Sequence, residues 1–451
     1  MNQTIRNPHS EIRNLFDRLG MLTYHLPSVK TMRVLQLIHQ YPPEHIGGTE
    51  FYTQWLSREL VQRGHDVAVF HRGSGDGPDL QRRNEAGVRI WTATHGPMTP
   101  NNRFRATFGD TVLTRAFARV LAAEQPDLVH VQHVMGLPHQ LVHKIRTAGI
   151  PYVVTLHDYY YVCANAQLIT NYDNALCDGP SWWLNCARCA LARAGKPGAA
   201  TLTPGIAPLM ALRQALLRLV LANATCVIAP TEFVREIYGR IGIPRHNMQV
   251  VTHGIALPDK EMQDLLAARE PYQAPPLRVA YIGGLSRQKG VHVLITAVNQ
   301  LSPQSIRLSI YGDTKADPDY VKQIRDMSRH PGIHFNGRIP RDQIWAALAQ
   351  TDLVVVPSLW YETSSLIIQE AFAAGVPVIA SRLGGMVEKV VDGVNGYLVQ
   401  PDDARQLQEK LTNLCRNPGE LAKFRENMPL VRPVNAHVDD IEIIYQPLLN
   451  R

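Results

Sequence analysis

Glu362 and Glu370 stand eight positions apart in the run Pro357-Ser358-Leu359-Trp360-Tyr361-Glu362-Thr363-Ser364-Ser365-Leu366-Ile367-Ile368-Gln369-Glu370. Ionised carboxylates are strong hydrogen-bond acceptors, and two at this spacing form a ligand-binding geometry. A strand-like run, Asp352 to Val356, leads through a turn-prone Pro-Ser into a helix-like segment. The first carboxylate is therefore expected at a strand-to-helix junction and the second about two turns in, ~12 Å further along the axis at ~1.5 Å rise per residue. A bare pair of this kind is more commonly two exposed acids on an ordinary helix. Its neighbours decide between the two readings.

Two glycine turns sit at corresponding places in the chain. Gly47-Gly48-Thr49 follows a strand and a loop and precedes a helix, and Gly283-Gly284-Leu285-Ser286-Arg287-Gln288-Lys289-Gly290 does the same further on. Glycine lets a ligand approach the backbone, and the free N–H groups of a helix start favour a phosphate or oxyanion. Arg287 and Lys289 add cations that could meet a diphosphate directly. In the first half, Thr155-Leu156-His157-Asp158 ends a strand and enters a loop. A lone histidine there is more often structural than functional.

The elements that must position these residues follow from hydrophobic periodicity. Strand-length apolar runs alternate with longer amphipathic segments: Met32 to His39, His65 to His71, Val88 to Thr92, Leu128 to Gln132 and Tyr152 to Thr155 read as strands, with helical patterns between most of them. After the Pro-rich stretch 271–276 the pattern restarts with strands at Leu277 to Ile282, Ile306 to Tyr311, Ile333 to Asn336, Leu353 to Val356 and Val376 to Ala380. Such alternation specifies parallel sheets covered by helices on both faces. The fold class is therefore α/β, with two doubly wound Rossmann-like domains and a ligand cleft between them, beyond the carboxyl ends of the strands. The expected divisions are an N-terminal extension (1–31), a first domain (32–258) with a Cys-containing insertion at about 159–200, a second domain (259–426), and a terminal helix (427–451).

Composition narrows the function classes. The 451 residues, 45% hydrophobic and 19% charged, describe a well-cored globular protein long enough for two or three units. A net charge of +7 is spread along the chain without the dense basic stripe that nucleic acid binding needs, so no nucleic-acid partner is expected. No run of 18 or more uncharged apolar residues occurs, and the first 31 residues do not read as a secretory signal. A cytoplasmic protein is expected, with peripheral contact on the inner face of the cytoplasmic membrane as the alternative. No divalent ion is expected on the diphosphate; basic residues and helix N-termini are expected to do that work, with no cofactor required.

The run from Asp352 to Glu370 continues into Ala374-Gly375-Val376-Pro377-Val378-Ile379-Ala380-Ser381, then Gly384-Gly385-Met386-Val387-Glu388 and Asp392-Gly393-Val394-Asn395-Gly396. This order of elements resembles glycosyltransferase family 4, the retaining nucleotide-sugar enzymes of GT-B fold, from about Met32 to the C-terminus and most strongly from Val279 to Pro401. The resemblance implies that Glu362 faces the donor sugar, Glu370 binds the ribose, and the segment Thr363, Ser364, Ser365 and Leu366 receives donor oxygens. The inferred axial separation of the two glutamates is roughly the span of those two sugars. It further implies Lys289 on the diphosphate, His157 beside the reacting sugar, Gly48 at the phosphate-facing turn, and backbone near Arg338 and Ile339 at the base. Catalytic work falls to His157 and Glu362, and His133, Glu44 and His45 are weaker candidates for acceptor contacts. The donor implied is a UDP-, GDP- or ADP-sugar and the acceptor a glycan or lipid-linked glycan. Two departures stand out. Gly284 occupies a position that is often arginine, for which Arg287 could substitute, and Thr363-Ser364-Ser365 replaces a Gly-x-Gly-type run. A nucleotide-sugar epimerase or a non-catalytic sugar-nucleotide binder shares the architecture and remains the alternative.

Cys163, Cys177, Cys186 and Cys189 cluster in the insertion together with Trp182 and Trp183. Four thiolates suit a tetrahedral structural zinc, although only one close C-x-x-C pair is present. Free thiols in a packed insertion are the other reading. Met210 to Ala222, with Arg213 and Arg218 in an apolar helical pattern, could touch a lipid surface or pack within the first domain.

Overall fold

The computed structural model describes residues 30–196 and 198–449, with the side chain of Asp76 excepted. The N-terminal extension expected at 1–31 lies almost wholly outside them.

The first sheet comprises β1 (Arg33–Leu37), β2 (Asp66–Gly73), β3 (Gly75–Glu85), β4 (Val88–Gly96), β5 (Leu128–Val131), β6 (Tyr152–Thr155), β7 (Cys226–Ala229) and β8 (Met248–Val250), in the order β3-β4-β2-β1-β5-β6-β7-β8. The second comprises β9 (Leu277–Ile282), β10 (Ile306–Tyr311), β11 (Ile333–Gly337), β12 (Leu353–Val356), β13 (Val378–Ser381) and β14 (Gly396–Val399), in the order β11-β10-β9-β12-β13-β14. Every pairing is parallel except that of β3 with β4. Strands such as β6, β12 and β13 are buried along their whole length, as expected for a parallel sheet covered on both faces. Strand order reverses between β1 and β5 and again between β9 and β12. Those two switch points are where ligand crevices form in doubly wound sheets. The expected GT-B architecture of two Rossmann-like halves is the architecture found.

The glutamate-bearing segment departs in detail from the expectation. The helix runs from Leu366 to Ala373, so Glu370 sits little more than one turn in, and Glu362 lies in the loop before it. Ser365, at φ 20° and ψ 83°, does not continue a helix backwards. The loop is held instead by Gly384 and Gly385: Gly385 N donates to Glu362 O at 2.7 Å. Gly384 has φ +61°, and a Cβ there would come within 2.7 Å of Glu362 N. Close backbone approach of this kind is open only to glycine.

The terminal helix, Val434–Tyr445, packs on the first half. Tyr52 Oη lies 2.8 Å from His437 Nε2, His130 Nδ1 lies 2.6 Å from Tyr445 Oη, and Arg63 and His65 both reach Glu442 at 2.7 Å. The chain thus crosses between the halves twice. The crossings touch each other, with Ile255 N donating to Arg432 O (3.1 Å) and Val434 N to Ile255 O (2.8 Å).

Helix Thr203–Ala222 with its preceding turn is, by length and composition alone, apolar enough to cross a membrane. Its Arg213 and Gln214 are nevertheless buried against Tyr160 and Trp183 of the same half.

Candidate functional site

A cavity of about 480 Å³ lies between the two halves at the carboxyl ends of β6, β9, β10 and β12. Gly48, His157, Gly284, Lys289, Arg338, Ile339, Glu362, Thr363, Ser364, Ser365, Leu366 and Glu370 all line it. Arg287 does not. It is exposed, and its charge acts on His292 and Tyr320, because the single helical turn Arg287–Lys289 sends alternate side chains in different directions. The expectation that Arg287 supplies the missing diphosphate charge is corrected accordingly. Arg338 and Arg341 are the guanidinium groups that line this wall.

Glu362 is 7% exposed, and three donors converge on its Oε1: Lys289 Nζ at 2.7 Å, Ser358 Oγ at 2.7 Å and Trp360 Nε1 at 2.8 Å. A carboxylate so supplied is fixed in direction. Glu370, 1% exposed, is paired with Arg341. That guanidinium lies over the rings of Phe51 (5.0 Å) and Trp55 (4.7 Å), both on helix Gly48–Gln62 of the other half. Burial pushes the Arg341 pKa down to about 10, which leaves it charged near neutrality. The same helix opens at Gly47 with no side chain from the N-cap residue, and the buried Glu50 carboxylate of its first turn lies against that start.

His157 bridges the halves. Its carbonyl accepts from Thr363 Oγ1 at 2.8 Å, and the carbonyl of Thr363 in turn accepts from Thr231 Oγ1 at 3.1 Å. Its ring Nε2 lies 2.8 Å from Gln132 Oε1, and burial holds its pKa well below the ordinary value. A neutral imidazole that donates from Nε2 presents Nδ1 as an acceptor for a hydroxyl. His253, also buried and kept neutral, lines the cavity, and its Nε2 has no hydrogen-bond partner among the described residues.

Beneath the Thr363–Ser365 turn, Lys389 Nζ donates to Ser364 O, to Ser364 Oγ (3.2 Å) and to Gln369 Oε1 (2.8 Å). Burial brings its pKa down to about 7. Sequence reasoning missed Lys389, Arg341, Phe51 and Trp55. Lys389 directly follows the Gly384-to-Glu388 run and could have been suspected from that position. Arg341 carries no local signal, since its partner lies 29 residues away.

The weaker acceptor candidates sit apart from the cavity wall. His133 is buried against Asp158 (3.0 Å), and Glu44 is exposed near Arg83 (4.0 Å). The zinc expectation for Cys163, Cys177, Cys186 and Cys189 is also corrected. The four are free thiols lining a separate cavity, and among the described residues no three His, Cys, Asp or Glu side chains are gathered to hold a metal ion.

Two family models match the chain, a "Glycosyl transferase 4-like domain" over residues 47–254 and "Glycosyl transferases group 1" over residues 276–417. The glycogen synthase of Mycobacterium tuberculosis is 26% identical over 408 residues, covering 86% of this chain and 87% of that protein. The D-inositol 3-phosphate glycosyltransferase of Xylanimonas cellulosilytica is 25% identical over 422 residues, covering 88% and 92%. Among solved structures, sucrose-phosphate synthase from Thermosynechococcus elongatus superimposes with TM-score 0.68 at 20% identity, over 92% of this chain and 99% of that one. Anabaena HepE in complex with UDP and glucose superimposes with TM-score 0.61 at 19% identity, over 92% and 99%. With both halves matched in order and the cavity built between them, the chain belongs to the group 1, family-4-like glycosyltransferases of GT-B fold.

Proposed function

We propose that this glycosyltransferase is retaining and moves a sugar from a nucleoside-diphosphate sugar to a hydroxyl of a glycan or lipid-linked glycan. One observation carries the reading: a single cavity joins the two glutamates with Lys289, Arg338 and Arg341 and with the start of helix Gly48–Gln62. Cations and helix N–H groups suit a diphosphate, and carboxylates suit the hydroxyls on either side of it. Relatives whose structures hold UDP with glucose, or ADP, support a donor of that class.

In this reading Glu362 orients the donor sugar and Glu370 the ribose. His157 stands beside the reacting carbon, its neutral ring accepting a sugar hydroxyl. Lys289 and Arg338 stabilise the departing diphosphate, which takes the acceptor proton during front-face attack. Catalysis is then positioning and electrostatic stabilisation of an oxocarbenium-like state, without a covalent nucleophile.

The test is a thermal-shift panel of UDP-, GDP- and ADP-sugars followed by donor hydrolysis without acceptor. One donor should raise Tm, and Glu362→Gln should lose hydrolysis while keeping nucleotide binding. No shift with any donor would sink the donor assignment, and hydrolysis surviving in Glu362→Gln would sink the catalytic role.

A further inference from the structure

A second cavity of about 280 Å³ lies in the first half, walled by the Cys-bearing insertion and helices Pro100–Ala106 and Thr203–Ala222. Arg103, Arg193 and Arg213 line it, and no Asp or Glu does. Arg213 is 2% exposed, and its partners are all neutral. Nη2 donates to Tyr160 O (3.1 Å), the guanidinium lies 4.5 Å over the Tyr160 ring, and Nε has no hydrogen-bond partner among the described residues. Arg103 likewise donates to the Met98 carbonyl (2.9 Å) and the Met135 sulfur (3.8 Å), and Arg193 to Asn165 Oδ1. A buried charge is costly unless an opposite charge meets it, so the buried Arg213, with half-buried Arg103 and exposed Arg193 at the same space and no carboxylate, leaves room for an anion. Their planar forks match phosphate oxygens in pairs. Phe104, Met135 and Met210 make the rest of the wall apolar.

This cavity is separated from the interdomain cavity by a thin partition. Tyr160, on the second cavity, donates its N–H to Asp158 Oδ1 (2.8 Å), and Asp158 lines the first. His133 closes the partition, 3.0 Å from Asp158 and with its ring tilted against that of Tyr160, centroids 5.3 Å apart. The segment Asp158–Tyr160 is thus the common wall of the two cavities, with Asp158 on one side and Tyr160 on the other.

We infer that the second cavity is a phosphate subsite for the acceptor: Arg103, Arg193 and Arg213 bind a phosphoryl group whose apolar or sugar substituent lies against Phe104 and Met210. This rests on the first half being the acceptor side of the proposed reaction.

Cys186 and Cys189 line the same space, so occupancy can be read in the full-length protein by protection from N-ethylmaleimide at pH 8.5, with labelled peptides quantified by mass. The probes are farnesyl phosphate, farnesol, inorganic phosphate and glucuronate. Farnesyl phosphate at ten times its Kd should slow labelling about tenfold, and farnesol should not. Arg213→Met should lose the protection. Should that variant fail to fold, the exposed Arg193→Gln carries the test. Equal protection by inorganic phosphate assigns the site to phosphate alone, and protection confined to the prenyl ester assigns it to a lipid-borne phosphate. Unprotected thiols with every phosphate probe, protection that survives both substitutions, or protection by glucuronate in place of phosphate overturns the inference. Donor-induced Tm shifts measured on the same samples report separately on the transferase reading.

Discussion

Lys289 Nζ and Glu362 Oε1 lie 2.7 Å apart, joining the glycine turn after β9 to the loop after β12 across the switch point of the second sheet. Because Ser358 and Trp360 also donate to Oε1, Oε2 is the oxygen left to receive a ligand hydroxyl. Lys289 is the more exposed partner, at 28% of its side chain against 9% for that of Glu362, and is the one able to turn toward a diphosphate.

Replacing Lys289 with Met should lower kcat/KM roughly 10- to 100-fold, about 1.4–2.7 kcal/mol of transition-state stabilisation. The loss should fall on donor rather than acceptor kinetics. Glu362 keeps two neutral donors, so Tm should change little. Unchanged donor kinetics in Lys289→Met would place the diphosphate elsewhere.

Gly284 offers the opposite experiment. A Cβ there meets open space, and the residue lines the interdomain cavity. Gly284→Arg should therefore fold normally and tighten donor binding, by about 1 kcal/mol if one charge-assisted hydrogen bond to the diphosphate forms. Isothermal titration with the nucleoside diphosphate checks this, and weaker binding in the variant would count against the site.

Arg341→Met should be severely destabilising, because Glu370 would keep a buried charge with no counterpart. Removing one member of a buried pair typically costs about 3–5 kcal/mol. The double variant Arg341→Met/Glu370→Gln should recover part of that loss in urea melts. If the single and double variants melt alike, the pair does not govern stability.

Lys389 gives a pH dependence of definite sign. Its pKa is held at about 7 by burial, against 10.5 unfolded. Between those values the unfolded chain binds more protons, so this group makes stability rise with pH from about 7 to about 10.5. Below about 7 both states are protonated, and the cost of burying the charge is fully present. Urea midpoints at pH 7 and pH 9 should rise more in the native protein than in Lys389→Met. Parallel changes would show that Lys389 does not titrate in this range.

Much of this was legible in the sequence because parallel strands buried on both faces must be apolar along their length, and their spacing betrays the helices between them. Glu362 and Lys289 were legible for a different reason, Lys289 being set beside Gly290 and Glu362 shortly after the Pro357-Ser358 turn, each just past a strand end. What stayed hidden depends on partners distant in the chain. The strand β3 reads as polar turn, with Gln81, Arg82, Arg83, Asn84 and Glu85 in a row, and is held by its antiparallel pairing with β4 at the sheet edge. Edge strands need only one apolar face, so composition does not flag them. Glu370 was expected about two turns into the helix and lies little more than one turn in, because nothing local reveals that Gly384 and Gly385 pack onto the backbone of Glu362 and Thr363 and hold them in a loop. The cysteine spacing invited a metal, and only side-chain placement shows that the thiols do not gather as a ligand set.

The paired crossings at Ile255 and Arg432–Val434 have a mechanical consequence. Two connecting strands that exchange hydrogen bonds act as a doubled strap, which resists twisting and sliding but yields to bending about the line joining them. Gly254 lets the strap lie flat, since a Cβ there would come within 2.6 Å of the His437 side chain and 2.7 Å of the Pro433 carbonyl. Opening of the cleft is thereby narrowed toward a single rotational degree of freedom, and each closure returns Glu362 and His157 to the same register.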